Sequence, residues 1–293
     1  MRGGELIRPV IFTVFGSDAR QAALLDILRA DGYAAYRQEE NPPESPDGCR
    51  IAILPMPLLG AHGEVRAGES AEALLAGLSR FDLAIGGMIP ADFIKRAEDA
   101  GIRIFDYALR EDFAVSNAAT TAEAALAVAM EHEDRALYTL SALVVGYGRI
   151  GKFLARFLRA LGAQTAVSAR KSADFALLRA EGFPCLDTRA LAGLDRFDLI
   201  FNTVPFPVLG REALARTKPD CLLIDLASAP GGIDFDAAKA LSRCAISALR
   251  LPGAYAPRTA AHRRPEGAGR LCAAHRREDF CREHLCNPCG GNS

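Results

Sequence analysis

An apolar run, Leu143-Val144-Val145, passes directly into Gly146-Tyr147-Gly148-Arg149-Ile150-Gly151 and then into a helical pattern over 150–161. Few folds accommodate that order. The run reads as a buried strand, and the glycines ask for a tight turn at Gly146, close backbone approach at Gly148 and tight helix-on-strand packing at Gly151. A helix opening at such a turn points free N–H groups and about half a positive charge at whatever lies before it, which suits the diphosphate of a dinucleotide. Tyr147, Arg149 and Ile150 share the loop and join the three glycines as candidate cofactor-binding residues.

The surrounding chain alternates in the same way. Strand patterns fall near 142–145, 165–168, 199–202, 222–226 and 245–249, with helical patterns at 150–161, 173–181, 211–216 and 235–241. An earlier series has strands near 10–15, 33–36, 51–54, 83–86 and 102–105, with helices at 20–30, 71–78 and 91–100. Strands alternating with helices predict parallel sheets covered on both faces. The expected fold class is α/β, with two Rossmann-like, doubly wound, parallel-sheet domains and an interdomain cleft. The expected division is a substrate domain over 1–118, a linking helix over 119–137, a cofactor-binding domain over 138–255 and an atypical tail over 256–293. Thr120 or Thr121 is the expected N-cap of the linking helix, with Glu123 closing a capping box.

The strand after the glycine turn bears on which dinucleotide fits. An NAD site usually carries an acidic residue about 20 residues past the glycines, to accept the ribose hydroxyls. Between Gly146 and Ala173 there is no Asp or Glu; the strand ends Ser168-Ala169-Arg170-Lys171. Ser168, Arg170 and Lys171 suit a 2′-phosphate, and Arg170 can bind one bidentately. NADP(H) is therefore expected over NAD(H). Later strands end at Asn202-Thr203-Val204-Pro205 and at Asp225-Leu226-Ala227-Ser228-Ala229-Pro230-Gly231-Gly232, a flexible loop expected to face the cofactor, with Ala227 and Ser228 its candidate contacts. Strand C-terminal ends are where open α/β sheets bind ligands, so Asn202 to Pro205, Ala227 and Ser228 are expected near the nicotinamide half.

Several segments together resemble the A subunit of dipicolinate synthase. They are Gly16-Ser17-Asp18-Ala19-Arg20-Gln21, Asn117-Ala118 through Thr121-Ala122-Glu123, the glycine turn, Asn202 to Pro205, Asp225 to Gly232, and Leu251-Pro252-Gly253 with Ala256-Pro257 and Thr259-Ala260. The resemblance covers residues 9 to about 260. It implies a two-domain fold like that of formate and glycerate dehydrogenases. It also implies NADP-linked oxidation of dihydrodipicolinate to pyridine-2,6-dicarboxylate in sporulation, a partner in the flavoprotein-like B subunit, and a cytoplasmic, mother-cell location. A dicarboxylate substrate needs cations and N–H donors. Arg20, Ser17, Thr120, Thr121 and Arg258 are the candidate substrate contacts, and Asp18 and Glu123 the candidate proton acceptors. The chain departs from the family pattern where a proline near Thr120, a glycine at Ala124, a lysine at Ala254 and a glycine at Ala261 are expected.

Composition narrows the alternatives. The 293 residues carry a formal net charge of −1, with no dense basic face before the last thirty residues, which argues against a nucleic-acid binder. No uninterrupted apolar stretch approaches eighteen residues, so no membrane partner is expected. A homodimer is compatible with the sequence. D-2-hydroxyacid dehydrogenases use a histidine base on a late loop of the cofactor domain, yet none lies between Glu133 and Ala261. An oxidoreductase of another small acid is therefore the second reading, and a non-catalytic NADP-sensing module the third. Cys49, Cys185, Cys221 and Cys244 read as buried thiols. After Ala260 the character changes. The tail reads as a disordered basic segment, as the product of a reading-frame change, or as a metal site built on Cys281, Cys286 and Cys289 with Cys272, His275 and His284 nearby.

Overall fold

The computed structural model describes residues 9–40, 42, 48–60 and 63–262. The tail cysteines and histidines lie outside the described residues. Among those described, no three His, Cys, Asp or Glu side chains are grouped to hold a metal ion. The described residues divide into two compact units, one made of those up to Phe113 with Ala261 and His262, the other Ala114–Ala260.

In the first unit, β1 (Val10–Val14), α1 (Ala19–Ala30), β2 (Ala34–Arg37), β3 (Cys49–Ile53), α2 (Ala71–Leu78), β4 (Leu83–Gly86), α3 (Ala91–Asp99) and β5 (Ile104–Asp106) follow in order. The strands form one parallel sheet in the order β2-β1-β3-β4-β5. Side chains alternate across it, as a two-residue period requires. Ile51 and Ile53 face Ala23, Leu24 and Leu25 of α1, whereas Ala52 and Leu54 face Leu74 and Leu78 of α2 and Phe93 of α3. A strand buried on both faces has no polar side to show, which is why these strands read as nearly continuous apolar runs.

The helix α4 (Glu111–His132) differs from expectation at its start. Thr120 and Thr121 are not N-caps; they lie within the helix, buried, and donate back to the carbonyls of Ser116 (3.2 Å) and Asn117 (2.7 Å). Those i−4 bonds satisfy the hydroxyls and let the helix run on upstream. Glu123 is exposed in mid-helix, so no capping box forms. By length and composition α4 is apolar enough to cross a membrane, but Ala122, Ala125, Leu126, Val128 and Ala129 are buried in a protein core.

The second unit continues with β6 (Ser141–Val145), α5 (Arg149–Ala160), β7 (Gln164–Ala169), α6 (Ser172–Ala180), β8 (Cys185–Asp187), β9 (Leu199–Asn202), α7 (Arg211–Ala215), β10 (Leu222–Asp225), α8 (Phe235–Ala240), β11 (Cys244–Ser247), α9 (Leu251–Tyr255) and the first four residues of α10 (Pro257–His262). Its six-stranded parallel sheet has the order β11-β10-β9-β6-β7-β8. Strand order therefore reverses between β6 and β9, the switch point at which such sheets bind ligands. Ala142 and Val144 pack with Leu154 and Leu158 of α5; Leu143 and Val145 pack with Leu214 of α7 and Ala238 of α8. Sequence pattern gives no sign of the edge strand β8, because its three residues are only half-buried and carry too little periodicity.

At the opposite end of this sheet Asp198 closes β6 against β9. Its carboxylate accepts from Ser141 N (2.8 Å), Lys218 Nζ (2.7 Å) and Arg135 Nη1 (3.2 Å). Burial alone would raise its pKa. The Lys218 ammonium, the Ser141 N–H and the Arg135 guanidinium outweigh that and hold it below the ordinary aspartate value. Of the expected buried thiols, Cys221 is buried, and burial pushes its thiol up to about 12. Cys185 is half-buried, Cys244 is exposed at the sheet edge, and Cys49 is disulfide-bonded; these three correct the expectation.

Candidate dinucleotide site

The turn after β6 has the geometry its glycines predict, each for a different reason. Gly146 sits at φ +99°, and a Cβ there would come within 2.6 Å of Thr203 Oγ1 and 2.8 Å of Val204 Cγ2. A Cβ on Gly151 would run into the carbonyl oxygen of Gly146, so the first turn of α5 packs directly on the loop. Gly148, the N-cap of α5, differs: a Cβ there would meet no protein atom within 4 Å. No protein neighbour therefore demands glycine at that position. A bare, exposed backbone beside open space at a helix N-terminus is a cradle that a side chain would fill, and it fits a diphosphate.

The neighbouring strand ends hold this turn in place. Gly146 N donates to Ser168 O (3.1 Å) and Oγ (3.3 Å). Ser168 is fully buried and shares a 2.8 Å hydrogen bond with Thr188. Its hydroxyl thus ties the glycine turn to the end of β8 and is turned inward, which corrects its expected place beside a 2′-phosphate. Tyr147 is also turned inward, 7% exposed, with Lys152 Nζ 5.3 Å from its ring centroid. Burial raises the pKa of its phenol, with the Glu181 carboxylate adding to the effect. Tyr147 can face a ligand only through its backbone. Ile150 packs against the core, and Arg149 is exposed on the first turn of α5.

Arg170 and Lys171 directly follow β7, one strand over from the glycine turn. Both are exposed, and among the described residues neither has an ion-pair partner. The nearest acid by register is Asp187, opposite Ala169. It accepts from Arg189 N (2.9 Å) and lies 3.8 Å from that guanidinium. This end of the sheet therefore offers unpaired positive charge.

Across the switch point, Thr203 Oγ1 and N both donate to Val145 O (2.9 Å each). Asn202 is fully buried, Thr203 and Val204 are half-exposed, and Pro205 is exposed. Ala227 is buried and Ser228 exposed at the tip of the loop after β10. Asp225, the head of the loop expected to face the cofactor but not a candidate contact, organises that loop from a position only 2% exposed. In the sequence it shows as an acid ending an apolar strand, at the head of the Asp225–Gly232 segment that carries part of the family resemblance.

The first unit holds the remaining candidates. Asp18 caps α1 by accepting from Gln21 N (2.9 Å), and Ser17 is exposed beside it. Arg20, in the first turn of α1, is 7% exposed, and its guanidinium has no hydrogen-bond or ion-pair partner among the described residues. A largely buried, unpaired cation is costly unless something anionic meets it. Ser17, Asp18 and Arg20 share one loop-to-helix turn at the C-terminal edge of β1, next to the switch point between β1 and β3. Thr120, Thr121 and Glu123 do not form a second helix start, and Arg258 is exposed on α10.

No family model matches the chain. Over 160 residues it is 36% identical to the A subunit of dipicolinate synthase from Bacillus subtilis, covering 54% of this chain and 53% of that protein. The match thus spans about half the length of that curated relative. The crystal structure of that Bacillus subtilis protein superposes with a TM-score of 0.74 at 27% identity, covering 92% of this chain and 97% of that one. A D-lactate dehydrogenase from Sporolactobacillus sp. superposes with a TM-score of 0.52 at 19% identity over 79% of this chain and 74% of its own, a likeness of fold alone. The chain is a homologue of the dipicolinate synthase A subunit, built on the two-domain fold of the D-2-hydroxyacid dehydrogenases.

Proposed function

We propose that this protein is an NADP-dependent dehydrogenase that oxidises dihydrodipicolinate to dipicolinate. It works beside a flavoprotein-like B subunit, in the cytoplasm of a sporulating cell. The observation that carries the cofactor half is the open space over the Gly148 backbone, with unpaired Arg170 and Lys171 one strand away. The substrate half rests on the homology to the dipicolinate synthase A subunit, together with the unpartnered, buried guanidinium of Arg20.

When bound, the nicotinamide supplies a hydride acceptor; the substrate ring gives up one hydride and one proton and becomes aromatic. Aromaticity provides driving force, so the chain's own task is mainly to orient and to hold charge. The N–H groups at the start of α5 receive the diphosphate. Arg170 and Lys171, at the end of β7, would hold the 2′-phosphate of the adenosine half. Thr203, Val204 and Pro205 after β9, with Ala227 and Ser228 after β10, would border the nicotinamide half. Arg20 holds a substrate carboxylate, with the exposed hydroxyl of Ser17 beside it. Asp18 already accepts the Gln21 N–H through Oδ1, which leaves Oδ2 to take the ring proton, directly or through water.

The test is NADPH formation from freshly made dihydrodipicolinate, with and without the B subunit. Turnover in either condition is expected. No turnover in both, with intact NADP(H) binding, would refute the enzyme and leave a cofactor-sensing module. Turnover with a 2-hydroxy acid instead would favour the second oxidoreductase reading, which lacks a histidine base between Glu133 and Ala261.

A further inference from the structure

Five residues stand abreast at the C-terminal rim of the second sheet: Ser247, Asp225, Asn202, Val145 and Ser168, on β11, β10, β9, β6 and β7. Three of them, Asp225, Asn202 and Ser168, are polar and essentially inaccessible. Buried polar side chains persist only where their hydrogen bonds are met. Ser168 meets its own through Thr188 and the glycine turn. Asp225 meets its own differently. Oδ1 accepts from Asn202 Nδ2 (2.7 Å) and Ala227 N (3.0 Å), and Oδ2 from Gly232 N (2.9 Å) and Ile233 N (3.2 Å).

Those bonds join two loops. Asn202 also donates to Val204 O (3.0 Å) and accepts from Val204 N (3.2 Å), so the same side chain that holds Asp225 shapes the loop after β9. Val208 N and Leu209 N then donate to Gly232 O (3.1 and 2.9 Å), sewing the two loops together. The packing around the carboxylate is close. A Cβ on Gly231, at φ +81°, would lie 2.9 Å from Asp225 Oδ2, and one on Gly232 would run into Asn202 Nδ2. Val204 Cγ2 and Thr203 Oγ1 in turn occupy the space beside Gly146. The chain of contact runs from Asp225 through Asn202 and Val204 to the glycine turn, while Ser228, Ala229 and Pro230 stand exposed at the loop tip.

We infer that Asp225 is a positioning residue for the nicotinamide end of the dinucleotide. It touches neither cofactor nor substrate; its carboxylate fixes Thr203–Pro205 and the Ala227–Gly232 loop against each other. The inference rests on the dinucleotide reading of the glycine turn. Only a carboxylate suits the position, because it accepts at both oxygens and donates at neither. Asp225→Asn keeps the shape but turns an NH₂ group toward N–H donors, whichever way the amide is placed. The loops on the β9–β10 side lose their template, while Gly148, Arg170 and Lys171 on the β6–β7 side keep theirs.

The test uses the full chain and two ligands, NADPH and 2′-phospho-ADP-ribose, which lacks the nicotinamide. For Asp225→Asn, NADPH affinity is expected to fall about tenfold or more, while the fragment stays within about twofold of wild type. Gly231→Ala presses on the same carboxylate from the loop side and is expected to give the same split; it decides the matter if Asp225→Asn does not fold. Equal losses for both ligands, or no loss for either, would overturn the inference. So would a wild-type chain that binds the fragment as tightly as NADPH. A wild-type chain that binds neither ligand would instead remove the dinucleotide reading itself, and the inference with it.

Discussion

Replacing Gly148 by alanine separates a glycine kept for a ligand from one kept for the fold. The backbone there has φ −78° and ψ −165°, which alanine adopts freely, and the added Cβ meets no protein atom within 4 Å. Two small terms act on stability. Losing a glycine from the unfolded chain stabilises by about 0.4–1 kcal/mol. Alanine is a poorer N-cap than glycine, at a cost of roughly 0.5–1 kcal/mol. They nearly cancel, so the melting temperature should move by no more than about 4 °C. Binding should respond quite differently. A methyl group in the cradle displaces the diphosphate from N–H groups whose charge-assisted hydrogen bonds are worth about 1.5–3 kcal/mol each. Losing one of them weakens NADPH by roughly 10- to 100-fold. Calorimetric titration beside a thermal melt reads both effects. Gly151→Ala is the contrast: its Cβ runs into the Gly146 carbonyl, so it should lose about 1–3 kcal/mol of stability by overpacking. A folded Gly148→Ala protein that binds NADPH within about twofold of wild type would refute the reasoning.

Other expectations follow from the same geometry. Arg170→Asp should weaken NADP(H) about tenfold or more relative to NAD(H), since it removes a charge-assisted contact worth about 1.5–3 kcal/mol; equal loss for the two cofactors in parallel titrations would discredit the phosphate role. Arg20→Met should leave the melting temperature unchanged or raised, because the guanidinium has no partner to lose, while raising the KM for the dicarboxylate; a marked drop in stability with normal KM would make Arg20 structural. Asp198→Asn should cost about 1–3 kcal/mol near neutral pH, discounted for the partial exposure of Lys218 and Arg135. The folded-state pKa of Asp198 is lowered, so its contribution is complete above the unfolded aspartate value of about 4 and fades as pH falls through the lower folded value. Urea melts of wild type and variant should therefore draw together as pH falls below the ordinary aspartate value of about 4; a gap that widens in acid contradicts the assignment.

The parts of this molecule that could be read from sequence are those where one physical demand dominates. Strands buried on both faces leave an apolar run with no competing signal, and the two sheets were legible for that reason. The glycine turn was legible because steric need at Gly146 and Gly151 and open space at Gly148 coincide at fixed spacing. Thr120 and Thr121 misled because a threonine hydroxyl can cap a helix or bond back to the carbonyl four residues earlier, and the residues alone do not say which. Ser168 misled because sequence shows that a strand ends there but not which way the side chain turns. Asp225 stood in a segment that resembles the family, but its role was hidden: a carboxylate at a strand end is usually solvated, and its four donors are spread over the β9 end and both halves of the loop that follows β10.

The central claim is that the rim of the second sheet takes a phosphorylated dinucleotide, diphosphate over Gly148 and 2′-phosphate on Arg170 and Lys171. Equilibrium titration of the full chain with NADPH and with NADH, at one salt concentration, tests it directly. Saturable binding with NADPH tighter by about tenfold or more is the predicted result. Failure to bind either cofactor, or tighter binding of NADH, would contradict it.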